Sequence, residues 1–185
     1  LTVNNGNVDV GNAASTVGNL SGTGGSIRAT GASSAITVTQ TTDATYAGIL
    51  NDNANTLAFT KAGAATLTLS GTNTYSGTTT VSAGTLLVTG ALGNTAVSVA
   101  ANATIGGTGM IDGSLAFAGG SFLTVSNIAD PLAVGGGVTF GSGFGMDNIL
   151  GLNWDTLALN TPYTILSSTQ DFSTAGLDNF GLAYA

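Results

Sequence analysis

The 185-residue chain has no cysteine and no histidine, and all nine of its acids are aspartate. Without cysteine there are no disulfides, no thiol nucleophile and no thiolate metal ligands. Without histidine, the many Ser and Thr hydroxyls lack the usual base that would activate one of them. Basic residues are almost absent too, with Arg28 and Lys61 alone against those nine acids, for a net charge of −7. Two cations cannot neutralise a phosphate backbone or hold an anionic membrane surface, so neither nucleic acid nor such a membrane is an expected partner. Charged residues make up 6% of the chain, against about 25% in ordinary soluble domains. Low charge often accompanies membrane insertion, but no apolar run approaches the ~18 residues of a spanning helix.

What the chain does contain is Thr, Ser, Asn, Gly and short apolar runs, with 29 glycines and 43% hydrophobic residues. That is ample for a core in one domain, expected to span residues 1–185. The runs are three to five residues long and alternate in character, as in Ile36 and Val38 against Thr37 and Thr39, or Leu67 and Leu69 against Thr66 and Thr68. A period of two places one set inward and the other in water. Gly and Asn interrupt the runs at close spacing, supplying the left-handed backbone angles of tight corners. The pattern predicts an all-β solenoid, a parallel β-helix of stacked short strands. At roughly 20 residues per coil it would make about nine coils, a rod of roughly 45 Å at ~4.8 Å per coil. A β-sandwich also alternates and also turns on Gly and Asn. The shortness of the runs favours the solenoid.

One stretch carries more order than the rest. Lys61-Ala-Gly63, Leu67-Thr-Leu-Ser-Gly71, Asn73-Thr-Tyr75-Ser-Gly77, Thr79-Thr-Val81 and Ala83-Gly84-Thr-Leu86 together resemble the autotransporter-associated β-strand repeat. Gly106-Gly-Thr-Gly109 and the Gly113-containing strand resemble what often follows it, so the likeness covers about residues 61–118. The resemblance implies a right-handed parallel β-helix and a bacterial protein that is exported to the cell surface or secreted. It transfers no catalytic residue.

Candidate chemistry is sparse. Arg28 and Lys61, the only cations for a lyase-like site, read as surface decoration. The aspartates are scattered singly, mostly beside Gly, Asn or Thr, where an Asp accepts backbone hydrogen bonds in a turn. Gly106-Gly-Thr-Gly-Met-Ile-Asp112 places its acid one position late for the calcium-binding nonapeptide, which turns the side chain to the opposite face. A weak Ca²⁺ site at Asn51-Asp52-Asn53 remains open. Gly141-Ser-Gly143-Phe-Gly145 lacks the third-glycine spacing of a dinucleotide loop and any following helix. No catalytic, metal or cofactor-binding residue is assigned, and no cofactor is expected. Tyr75 reads as structural, while the aromatics of residues 141–185 read as a cap on the last coil or a subunit-docking segment.

The ends of a solenoid expose unpaired backbone groups, templates for another strand. Leu1-Thr2-Val3 reads as a strand with neither charge nor Pro, and Tyr163-Thr-Ile165-Leu166 reads as a strand too. The docking residues expected on this basis are Leu1, Thr2, Val3, Tyr163, Ile165, Phe172, Phe180 and Tyr184. Two complementary ends give head-to-tail contacts that do not close. The leading functional expectation is therefore a non-enzymatic structural subunit of an extracellular bacterial fibre, sheath or matrix, with itself as partner. The alternative is the passenger or adhesin rod of an autotransporter-type surface protein, with surface glycans as further partners. A polysaccharide-acting enzyme ranks third. A chain beginning at Leu1 reads as a mature portion or a fragment, and its C-terminus shows no strand series of an outer-membrane barrel.

Overall fold

The computed structural model describes residues 1–32, 34–152 and 164–168. Its strands are short, and every pairing between those described is parallel. They stack into the expected β-solenoid, whose coil passes in turn across three faces. The first face is a seven-stranded sheet built from Ala14–Val17, Ser34–Thr39, Leu57–Ala62, Thr79–Val81, Val97–Val99, Leu115–Phe117 and Val138–Phe140. The second has six strands, Ala44–Tyr46, Thr66–Leu69, Thr85–Val88, Thr104–Gly107, Phe122–Thr124 and Ile149–Leu150. The third face is broken into two sheets, one of Asn7–Val10, Ser26–Ala29 and Ile49–Asn51, the other of Ala91–Leu92, Met110–Ile111, Ala133–Val134 and Ser167–Ser168.

The seven-stranded sheet counts the coils, and it corrects the expected nine to about seven. Coil length is the reason. Val97 pairs with Thr79 eighteen residues before it and with Leu115 eighteen after it. Elsewhere the corners lengthen: Leu115 pairs with Val138, and Ala44 with Leu67, each twenty-three residues on. Six intervals of ~4.8 Å give a sheet about 29 Å tall, shorter than the expected rod.

Parallel pairing in register puts like over like, and the core is built from the resulting columns. Leu67, Leu86, Ile105, Leu123 and Ile149 stack along the second face. Ile36, Phe59, Thr79, Val97, Leu115 and Val138 stack along the first. The apolar members of both columns are almost fully buried, and each contributes roughly 1.5–3 kcal/mol on leaving water. Near the described C-terminal end, Phe117 and Phe140 stack at 5.4 Å between ring centroids, and Phe144 tilts against both at 4.8 Å. Phe144 thus packs on the last described coils as part of the core. The predicted strand Tyr163–Leu166 falls differently: Thr164–Leu166 is not strand, and the strand that is present is Ser167–Ser168.

Candidate functional site

Two features of the stack are candidates for function: a cluster of buried polar side chains midway along it, and the outer edge of its first coil.

The buried cluster begins where the third face is interrupted. The coil after Ile49–Asn51 has no strand there, and Asn73 takes its place. Its side chain accepts from the Leu50 N–H at 2.9 Å and donates to the carbonyls of Gly71 and Ala91 at 3.0 and 2.9 Å. One amide thus links the coil below to the coil above. Backbone bonds from Thr74 N to Leu50 O and from Asn73 N to Ala91 O complete the bridge. Gln40 does similar work at another corner, accepting from Leu20 N at 3.0 Å and donating to Thr42 O at 2.9 Å.

Within the first-face column, Thr79 occupies an inward position between Phe59 and Val97. A hydroxyl there needs partners, and it has two. Tyr75 Oη lies 2.6 Å away and Thr95 Oγ1 2.8 Å away, with Thr95 donating in turn to Gly77 O at 2.5 Å. Burial raises the Tyr75 pKa, which keeps the phenol protonated as a donor.

Lys61 occupies the neighbouring inward column, between Val38 and Val81. It is fully buried, which corrects the surface role expected from sequence. Its ammonium donates to the carbonyls of Ala62, Gly63 and Ala83 at 3.1, 2.8 and 2.9 Å, matching three donors to three acceptors. Desolvation pushes its pKa down to about 8, partly offset by the charge of Asp43. The alternation of Leu57, Phe59 and Lys61 along one strand was the signal that placed it inward. Arg28 lies on the third face, where it pairs with Asp9 at 2.5 Å. That contact lowers the Asp9 pKa and raises that of Arg28.

Two aspartates accept backbone hydrogen bonds at corners, Asp43 and Asp52. Asp43 accepts from Thr66 N at 2.7 Å. Asp52 accepts from Leu57 N through one oxygen and from the Ser76 amide and hydroxyl through the other. The Asp52 oxygens considered for Ca²⁺ are thus turned on the chain itself, and Asn51 Oδ1 accepts from Asn53 N. Among the described residues no three acids lie close enough to hold a metal ion. Of the expected docking residues, Leu1, Thr2 and Val3 lie in the first coil. Ser21 N donates to Leu1 O at 3.0 Å, Val3 N to Ser21 O at 2.9 Å, and Val3 is buried. Asn7–Val10 and Ala14–Val17 are terminal strands of their sheets. The far side of this coil therefore has no strand partner among the described residues, and Val8 and Val17 are only partly covered. Ile165 packs on the chain's own core. Tyr163, Phe172, Phe180 and Tyr184 lie outside the described residues.

Residues 59–88 match the family model of the passenger-associated-transport-repeat. The matched segment runs from the strand carrying Lys61 through Asn73 and Thr79 to Thr85–Val88, and so holds most of the buried polar cluster. It is shorter than the 61–118 stretch of the resemblance. No curated protein and no solved structure matches the chain.

Proposed function

With that repeat at the centre of the stack, we propose that the chain is a structural rod segment of the passenger portion of an exported bacterial surface protein. The observation that carries this reading is the coincidence of the matched repeat with the polar bridges of Asn73, Thr79 and Lys61. These side chains join successive coils and offer no reacting group: the ammonium is enclosed by carbonyls, and the hydroxyls bond one another. Their role is to hold coil to coil, which is what a rigid display rod requires. The reading departs from the fibre favoured by sequence, because the repeat points to a passenger. The experiment is an epitope inserted at the exposed Gly119–Gly120 corner of the full-length protein in its own host. Antibody should label intact cells or the medium; label confined to lysed cells refutes the proposal.

The fibre reading keeps one observation in its favour: among the described residues, the outer edge of Leu1–Val3, Asn7–Val10 and Ala14–Val17 has no strand partner. In it, a second copy continues the stack. Negative-stain microscopy of concentrated protein should then show filaments, and isolated short rods would dismiss it.

A further inference from the structure

The corner that joins Leu1–Val3 to Asn7–Val10 is Asn4-Asn5-Gly6, and all three residues are exposed. Asn5-Gly6 is the single Asn-Gly pair of the sequence. In such a pair the glycine amide nitrogen can close a ring on the asparagine side-chain carbonyl, and without a Cβ nothing on the glycine hinders the approach. The structure leaves this pair open. Gly6 has φ +75°, and nothing beyond its chain neighbours lies within 4 Å of where a Cβ would sit. Among the described residues, neither the Asn5 side chain nor the Gly6 N–H has a hydrogen-bond partner. Other asparagines are held. Asn4 Oδ1 accepts from Thr23 N at 3.0 Å and Asn19 Oδ1 from Thr41 N at 2.7 Å, and Asn73 bridges coils. Asp112-Gly113, which could form the same ring, is closed: Gly113 is buried against the Thr95 backbone, and Asp112 N donates to Leu92 O at 3.0 Å.

We propose that Asn5 is a site of spontaneous deamidation, and that the isoaspartate it yields loosens the first coil. This goes beyond the rod reading and needs no reactant but water. The Gly6 nitrogen, on losing its proton, bonds to Asn5 Cγ. The Cγ–Nδ2 bond breaks, and ammonia leaves with that proton. Water then opens the cyclic imide. Hydrolysis at Cγ gives aspartate on an unaltered main chain. Hydrolysis at the Asn5 carbonyl carbon gives isoaspartate, whose main chain runs through Cβ and Cγ and is longer by one carbon. Either product adds a negative charge. The corner has no slack for that extra carbon. Val3 N donates to Ser21 O at 2.9 Å before it, and Ser26 N donates to Gly6 O at 2.9 Å at its end. Gly25 of the next coil lies directly against the Asn5 and Gly6 backbone. The longer chain must therefore bulge away from the stack. That releases the Ser26–Gly6 bond, from which Asn7–Val10 runs in register with Ser26–Ala29. Aspartate at the same position keeps the register.

The test incubates the folded chain in warm, mildly alkaline buffer, which favours the deprotonated nitrogen. Peptide mass spectrometry and isoaspartyl methyltransferase labelling follow the products. Asn5 should gain about 1 Da roughly tenfold faster than any other asparagine, with the isoaspartate label on the same peptide. Asn5→Gln should remove both signals, because its longer side chain closes the larger ring slowly. In the aged wild type, hydrogen exchange should quicken in Asn7–Val10 and stay unchanged in Thr85–Val88. Freshly made Asn5→Asp should exchange there like fresh wild type, which separates the longer backbone from the added charge. Three results would overturn the proposal: deamidation only once urea has unfolded the chain, isoaspartate label mainly on Asp112, or exchange in Asn5→Asp as fast as in the aged wild type.

Discussion

At the scale of single residues, the structure depends on a few polar side chains that stand in for backbone. Asn73 is the clearest. Asn73→Ala would strand the buried Leu50 N–H and free two carbonyls, a loss of about 2–4 kcal/mol. It should appear as a lower urea midpoint with an unchanged slope. Lys61 gives a different signature. Its pKa is about 8 in the folded chain and 10.5 ordinarily. Between those values the unfolded chain holds a proton that the folded chain has released, so stability rises with pH. The tyrosines act in the opposite sense. Burial raises Tyr46 to about 12, and Tyr75 upward also, from 10.0. Above pH ~10 the unfolded chain therefore sheds phenolic protons that the folded chain keeps, and stability falls. Urea midpoints measured from pH 7 to 11.5 should climb beyond pH 8, peak near about pH 10 and then decline. Lys61→Met should flatten the climb and leave the decline.

At the scale of the element, the buried hydroxyls tie the matched repeat to the next coil, because Thr95 lies one coil on from Gly77. Thr79→Val keeps the shape and removes the central hydroxyl, leaving Tyr75 Oη without its partner at a cost of about 1–3 kcal/mol. Adding Tyr75→Phe to that variant should recover part of the loss, which a double-mutant cycle by chemical denaturation reads directly. The strands themselves were largely legible in sequence. Ile36 and Val38 in Ser34–Thr39, and Leu67 and Leu69 in Thr66–Leu69, face inward as their alternation predicts, and Tyr75 is buried, structural as expected. Short strands such as Ala91–Leu92 and Met110–Ile111 were not legible, since two residues carry no period. Coil number was misjudged because corners of unequal length are invisible to alternation. Lys61 was misread because a charge suggests water, whereas its place in the alternation put it inward. The roles of Asn73 and Gln40 had no local signal: each depends on a partner about a coil away.

At the scale of the whole molecule, stability is a sum over neighbouring coils rather than a property of one centre. The coils joined by Asn73, Lys61 and Thr79 are heavily bridged, and among the described residues the strands of the first coil pair on one side. Hydrogen exchange should accordingly be slowest in strands such as Thr66–Leu69 and Thr79–Val81 and fastest in Asn7–Val10 and Ala14–Val17, as peptide-level mass spectrometry reports. The unequal coil lengths have a mechanical consequence. A load drawn along the polypeptide would peel the solenoid turn by turn, each turn yielding some 18 to 23 residues, or roughly 60–80 Å of slack. The steps would therefore differ in size, and the turns bridged by Asn73, Lys61 and Thr79 would be the last to yield.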